Sequence, residues 1–258
     1  MNRSRPRPGG RREALEYYQK DLDITVRLVG QHHLDVAKSY NNIGNVLDDM
    51  GKPEEALVHM QKGLEIQLKL LGSDHPDVAK SYGNLGNVYR SQGQYERALE
   101  NHQKALEIFI KVSGQDHLDV AKSYNNIGLV YNTQGKYEEA LEYYQKSLDI
   151  KIRVVGGDHP DVATSYNNIG EVYNRQGQYE RALEYYQKSL DIKIRVFGGD
   201  HPSVADSKYN LAFLHKKRKE TDIARQLFLE CEQIYTVVYG PDHRETVDAV
   251  RQARLCVR

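Results

Sequence analysis

Tryptophan is absent from this 258-residue chain, and phenylalanine occurs four times and methionine three. A single thick core would be short of large apolar side chains, whereas thin layers of packed helices would not. Cysteine occurs only as Cys231 and Cys256, both near one end, so no disulfide framework is expected and a reducing, cytoplasmic setting is. No apolar run approaches the ~20 residues that would span a bilayer, and the N-terminus lacks the apolar stretch of a signal peptide. Charge of one sign is missing too: 36 Lys+Arg stand against 36 Asp+Glu, so no overall field draws the chain to nucleic acid or to a membrane surface. No nucleophile–base pairing, paired carboxylates or phosphate loop is legible, so no catalytic residue, no cofactor and no enzymatic activity are expected.

What is abundant is repetition. Histidine recurs at His33, His75, His117, His159, His201 and His243, and glycine at Gly30, Gly72, Gly114, Gly156, Gly198 and Gly240, always 42 residues apart. The segments 117–158 and 159–200 differ at only seven positions. Likeness of this kind within one chain implies tandem duplication and a one-dimensional array.

Each unit reads as two helices. In His159-Pro160-Asp161, proline suits the first helical position and the acid suits the positive helix end. Val162, Tyr166, Ile169 and Tyr173 then share one helical face, and Ala163 and Gly170 are small enough for a neighbouring helix to come close. Gln176-Gly177 ends the first helix. The second runs from about Tyr179 to Val196, with Tyr179, Ala182, Leu183, Tyr186, Leu190 and Ile194 at helical spacing, and Gly198-Gly199 ends it.

The repeats are 33–74, 75–116, 117–158, 159–200 and 201–242. A lone second helix, 13–28, precedes them and a lone first helix, 243–256, follows, which suggests a fragment of a longer protein. Residues 13–258 are thus expected to form one all-α solenoid of antiparallel helix pairs. Residues 1–12, with five arginines, two prolines and two glycines, are expected to be a disordered basic arm. The fifth repeat is degenerate: Lys208 replaces a tyrosine, Lys219 the turn glycine and Thr221 the next aromatic, as in a capping repeat.

The string SYNNIGEVYNRQGQYERALEYYQKSLDI, 165–192, resembles the tetratricopeptide (TPR) motif at Tyr166, Ile169, Gly170, Tyr173, Gly177, Tyr179, Ala182, Tyr186 and Leu190. The usual TPR has 34 residues. The 42-residue period with Gly-x-x-His-Pro-x-Val-Ala at the junction resembles the kinesin light chain type. The resemblance covers 13–242 and implies a right-handed superhelix whose first helices line a concave groove that binds a protein or an extended peptide.

Three of the seven differences between repeats three and four, Lys122/Thr164, Leu129/Glu171 and Thr133/Arg175, fall on one stripe of the first helix. The asparagine pairs Asn125-Asn126 and Asn167-Asn168 lie on the same stripe. The second asparagine recurs as Asn42, Asn84, Asn126, Asn168 and Asn210. Its amide could hold the backbone of an extended peptide, or bond the next repeat and only set the superhelix. The groove candidates are Lys38, Asn41, Asn42, Asn45, Lys80, Asn84, Asn87, Lys122, Asn125, Asn126, Asn167, Asn168, Glu171, Arg175 and Asn210. Lys38, Lys80, Arg90, Lys122, Arg175, Lys216 and Lys217 outnumber Asp48, Asp49, Glu171 and Asp206 on the stripe, which slightly favours an acidic ligand. The carboxylate clamp of chaperone-binding TPR proteins is matched by Asn45, Asn84 and Lys122, but Asn41 and Asn126 stand where it has lysine and arginine.

The histidine ladder is no metal site, since equivalent helices in a stack lie about 8–10 Å apart and zinc ligands lie within ~2.0–2.3 Å of the ion. A residue recurring at a helix start caps the helix or packs the junction. The unpaired end helices are expected to leave Leu15, Tyr18, Leu22 and Val26 uncovered at one end and Val247, Val250 and Ala253 at the other. Weak head-to-tail self-association would follow. A structural or self-associating rod is therefore the alternative to a peptide-binding adaptor.

Overall fold

The computed structural model describes residues 8–256, which contain twelve α-helices and no strand. They fall into two compact units, divided between Gln134 and Gly135. The first holds α1 (Pro8–Val29), α2 (Leu34–Asp49), α3 (Pro53–Leu71), α4 (Pro76–Ser91), α5 (Tyr95–Ser113) and α6 (Leu118–Gln134). The second holds α7 (Tyr137–Val155), α8 (Pro160–Arg175), α9 (Tyr179–Phe197), α10 (Pro202–Lys217), α11 (Thr221–Tyr239) and α12 (Arg244–Leu255). Consecutive helices pack antiparallel: α2 with α3 and α4 with α5 in the first unit, α8 with α9 and α10 with α11 in the second.

The histidine ladder caps the first helices. Nδ1 of His33, His75, His117, His159 and His201 accepts a hydrogen bond from the backbone N–H two residues on, at 3.1–3.2 Å. That satisfies one of the donors a helix start leaves open. His243 makes no such bond.

The two helices of a pair meet through small residues. Ala37, Ala79, Ala163 and Ala205 are fully buried on the first helices. Facing them in the same register are Gly63, Ala105, Ser189 and Cys231. A Cβ on Gly63 would come within 2.9 Å of the Ala37 carbonyl oxygen, and Cys231 Sγ donates to the Ala205 carbonyl at 3.2 Å. Two turns further along the first helix, Gly44, Gly86, Gly170 and Ala212 receive Met60, His102, Tyr186 and Phe228. A methyl on Gly86 or Gly170 would lie 2.8 Å from the ring it receives.

The ends differ from expectation in detail. The first helix begins at Pro8, so residues 8–12 of the expected disordered arm are helical; proline suits the first helical turn, and Arg11 Nη1 donates to the Asp49 carbonyl. Residues 1–7 lie outside the described residues. Leu22 and Val26 are not uncovered, because they pack on Val36, Ala37 and Ile66. Tyr17, Ile24, Leu28 and Val29 are the exposed ones on this helix, Leu28 most of all at 77%. At the other end Ala253 is buried against α11, and Val247 and Leu255 are exposed.

First helices stop at glycine in left-handed backbone, as at Gly93 and Gly177 with φ of 73° and 75°. In the fifth repeat Lys219 occupies that position with φ 64°, the one non-glycine residue with positive φ among those described. An L-residue held there costs about 1–2 kcal/mol. Lys219→Gly is expected to stabilise the second unit by about 1 kcal/mol, read as a higher midpoint in urea; an unchanged or lower midpoint would show that Lys219 is unstrained.

Candidate functional site

The outward stripe of the first helices is best seen unit by unit. In the first, Lys38, Lys80 and Lys122 are exposed at one register of α2, α4 and α6. Each holds only an exposed or half-buried aspartate three residues earlier: Asp35 at 3.0 Å, Asp77 at 3.0 Å and Asp119 at 3.3 Å. Asn42 is exposed, and Asn45, Asn84, Asn87, Asn125 and Asn126 are half-buried. Asn41 is committed elsewhere: its Nδ2 donates to Ser81 Oγ of the next first helix at 3.0 Å, and that hydroxyl donates to Gln67 at 2.6 Å.

In the second unit Asn210 Nδ2 donates to Asn167 Oδ1 at 2.8 Å, linking α10 to α8. Glu171 turns inward as well. Its carboxylate accepts from the Tyr186 hydroxyl at 2.8 Å, Arg175 Nε at 2.8 Å and Asn174 at 3.2 Å. Burial pushes the Glu171 carboxyl up, but these donors outweigh it and hold it below its ordinary range. Arg175 is exposed and paired with that carboxylate, and Asn168 is half-buried. Lys217 donates to Asn174 Oδ1 at 2.8 Å. The difference at residue 171 thus serves a buried tyrosine hydroxyl as well as the surface.

A row of polar partners between repeats was not legible in sequence. In four of the first helices the buried serine meets a side chain of the preceding second helix: Ser39 with Asp21 at 2.7 Å, Ser81 with Gln67 at 2.6 Å, Ser165 with Lys151 at 2.8 Å and Ser207 with Lys193 at 2.7 Å. Burial lowers the Lys193 pKa, partly offset by Asp206. For three of these partners a signal was there in retrospect: Gln67, Lys151 and Lys193 share one register, which holds Phe109 and Tyr235 in the other repeats. Among the described residues no three His, Cys, Asp or Glu side chains come together as metal ligands would.

A tetratricopeptide repeat model matches residues 10–69, 49–111, 77–153, 119–195 and 161–236, so the chain belongs to the tetratricopeptide repeat family. Its fold is of the 42-residue, kinesin light chain-like type. It is similar to BtubC (BKLC) from P. vanneervenii, at 20% identity over 91% of this chain and 95% of that one, with a TM-score of 0.72. It is also similar to a Podosopora anserina putative kinesin light chain with nearly identical TPR-like repeats, at 23% identity over 80% and 98% of the two chains and a TM-score of 0.65. A signal transduction ATPase with a tetratricopeptide repeat sensor, from Pyrococcus horikoshii, matches at 19% identity over 93% of this chain and 34% of that one, with a TM-score of 0.69. No curated protein matches in sequence.

His102, at the register of Met60 and Tyr186, is 1% exposed and neither ring nitrogen has a hydrogen-bond partner. Burial, with the Arg90 charge adding to it, lowers its pKa from 6.5 to about 4. The unfolded chain therefore takes up this proton first. Stability is lost as pH falls from 6.5 toward 4, by on the order of 3 kcal/mol. His102→Met, the residue of repeat one, should remove that component. Urea unfolding at pH 7 and pH 4.5 measures it, and an equal acid loss in variant and wild type would clear His102 of the role.

Proposed function

We propose that the chain is a non-enzymatic adaptor in the cytoplasm that binds an extended protein segment along the outward stripe of its first helices, with a mild preference for acidic sequences. The observation that carries this is the row Lys38, Lys80 and Lys122, exposed on three successive first helices. Exposed pairs of this kind contribute about 0–1 kcal/mol, so each lysine can exchange its aspartate for a ligand carboxylate at little cost. Asn42, Asn84 and Asn126 lie one turn along the same helices, with amides suited to the backbone of an extended chain. Asn41, Asn167 and Asn210 serve a different end: Asn41 ties α2 to α4, two of the helices that carry the row, and Asn210 with Asn167 ties α10 to α8.

The test is a peptide array probed with the wild-type chain and with Lys38→Glu/Lys80→Glu/Lys122→Glu. The wild type is expected to retain peptides enriched in Asp and Glu. Three rim charges at ~0.5 kcal/mol each predict roughly tenfold weaker binding for the variant, with its melting temperature little changed. Equal binding by both chains would place the ligand elsewhere, and no retained peptide would favour the structural rod.

A further inference from the structure

The turn from α10 to α11 reads KKRK over residues 216–219, where the other four repeats read DDMG, RSQG, NTQG and NRQG from residues 48, 90, 132 and 174. None of those four carries more than one basic residue. The dipole of α10 favours cations in its last turn, which accounts for a lysine at 216 or 217. It does not account for residue 219, where a lysine is held at φ 64° in place of the glycine of every other repeat. A strained residue kept where an unstrained one would serve points to a role for its side chain.

The charges of this turn lack carboxylate partners as well. Arg218 alone has them, Glu220 at 3.1 Å and Glu180 at 4.0 Å, and Glu220 is also held by His215 at 2.5 Å. Lys216 Nζ donates to the amide oxygen of Gln252 on α12 at 3.2 Å, and Lys217 Nζ to that of Asn174 on α8 at 2.8 Å. Lys219 is exposed and has no side-chain partner among the described residues. Three ammonium groups within four residues are thus left without a counter-charge, whereas Lys38, Lys80 and Lys122 each hold an aspartate.

We propose that this turn is an anion site that takes the phosphate of a phosphorylated serine or threonine on a protein partner. The groups left free are lysine ammoniums, which meet phosphate as point charges on flexible stems. The guanidinium of Arg218, whose fork suits a carboxylate, is already taken. A phosphoryl group brings a charge of about −1.5 to −2 and three acceptor oxygens, which suits three ammoniums rooted within about one helical turn. Lys216 and Lys217 give up only neutral amide acceptors to reach it. Glu180 and Glu220 border the turn, so the positive island fits one isolated dianion rather than a continuous polyanion such as a nucleic acid or an anionic bilayer. The turn lies at the C-terminal end of its first helix in the second unit, and the Lys38 row near the N-terminal ends of first helices in the first, so neither site needs the other.

The probe is a short glycine–alanine peptide around one phosphoserine, compared with the same peptide carrying serine or glutamate. Each is titrated into the isotope-labelled full chain and followed by backbone amide chemical shifts. The phosphopeptide is expected to shift the amides of residues 216–220 and to bind roughly tenfold more tightly than either control. Lys216→Gln/Lys217→Gln/Lys219→Gly, losing three rim charges, is expected to bind it roughly tenfold more weakly. Lys219→Gly alone should bind about twofold more weakly while its urea midpoint rises, and it carries the test should the triple variant fold poorly. Lys38→Glu/Lys80→Glu/Lys122→Glu should bind the phosphopeptide as wild type does, so failure of that row and failure of this turn are told apart. Equal binding of the three peptides, or undiminished binding by the folded turn variants, would overturn the proposal. So would tighter binding of short duplex DNA or phosphatidylserine vesicles through the same lysines.

Discussion

In the pairs α2·α3, α4·α5, α8·α9 and α10·α11 the first helix carries only a small side chain where the second crosses it. Gly63 lies against the Ala37 carbonyl, Cys231 Sγ donates to the Ala205 carbonyl, and Gly86 and Gly170 lie under the rings of His102 and Tyr186. Close approach of this kind lets short helices gain dense dispersion contact without the large apolar residues the chain lacks. It also explains why glycine is tolerated inside α2, α4 and α8 despite its helix penalty of roughly 1 kcal/mol. The rest follows from that spacing. The aromatic or methionine on the second helix fills the space over the glycine, and the other helix faces are left for contacts between repeats.

Those contacts between repeats mix apolar packing with buried polar pairs. Serines on the first helices meet Asp21, Gln67, Lys151 or Lys193 from the preceding second helix, and asparagines tie α2 to α4 and α8 to α10. A buried hydrogen bond contributes little net energy when made and costs about 1–3 kcal/mol when one partner is lost. Such pairs make each repeat choose its neighbour's geometry. They also divide labour on the first-helix stripe: Asn41, Asn167 and Asn210 hold the array, and Lys38, Lys80, Lys122 and Asn42 are exposed.

The helices, their order and their 42-residue period were legible because apolar spacing, proline and glycine all speak the same local language at each boundary. The cap role of the histidines was legible too, since five of the six accept the bond their position suggested. One thing was not. Glu171 read as a surface variable, yet it answers the hydroxyl of Tyr186 across the pair, a contact that depends on three-dimensional register.

Two glycines three residues apart on α4 test the close crossing most directly. Both are helical, but a Cβ on Gly83 would meet nothing within 4 Å, whereas one on Gly86 would lie 2.8 Å from the His102 ring. Helix propensity alone favours alanine at both by about 1 kcal/mol. If close approach sets the pair, Gly83→Ala raises the free energy of unfolding by up to that amount and Gly86→Ala lowers it by about 1–3 kcal/mol, measured by urea denaturation of the two variants side by side. Stabilisation by both substitutions would contradict the account.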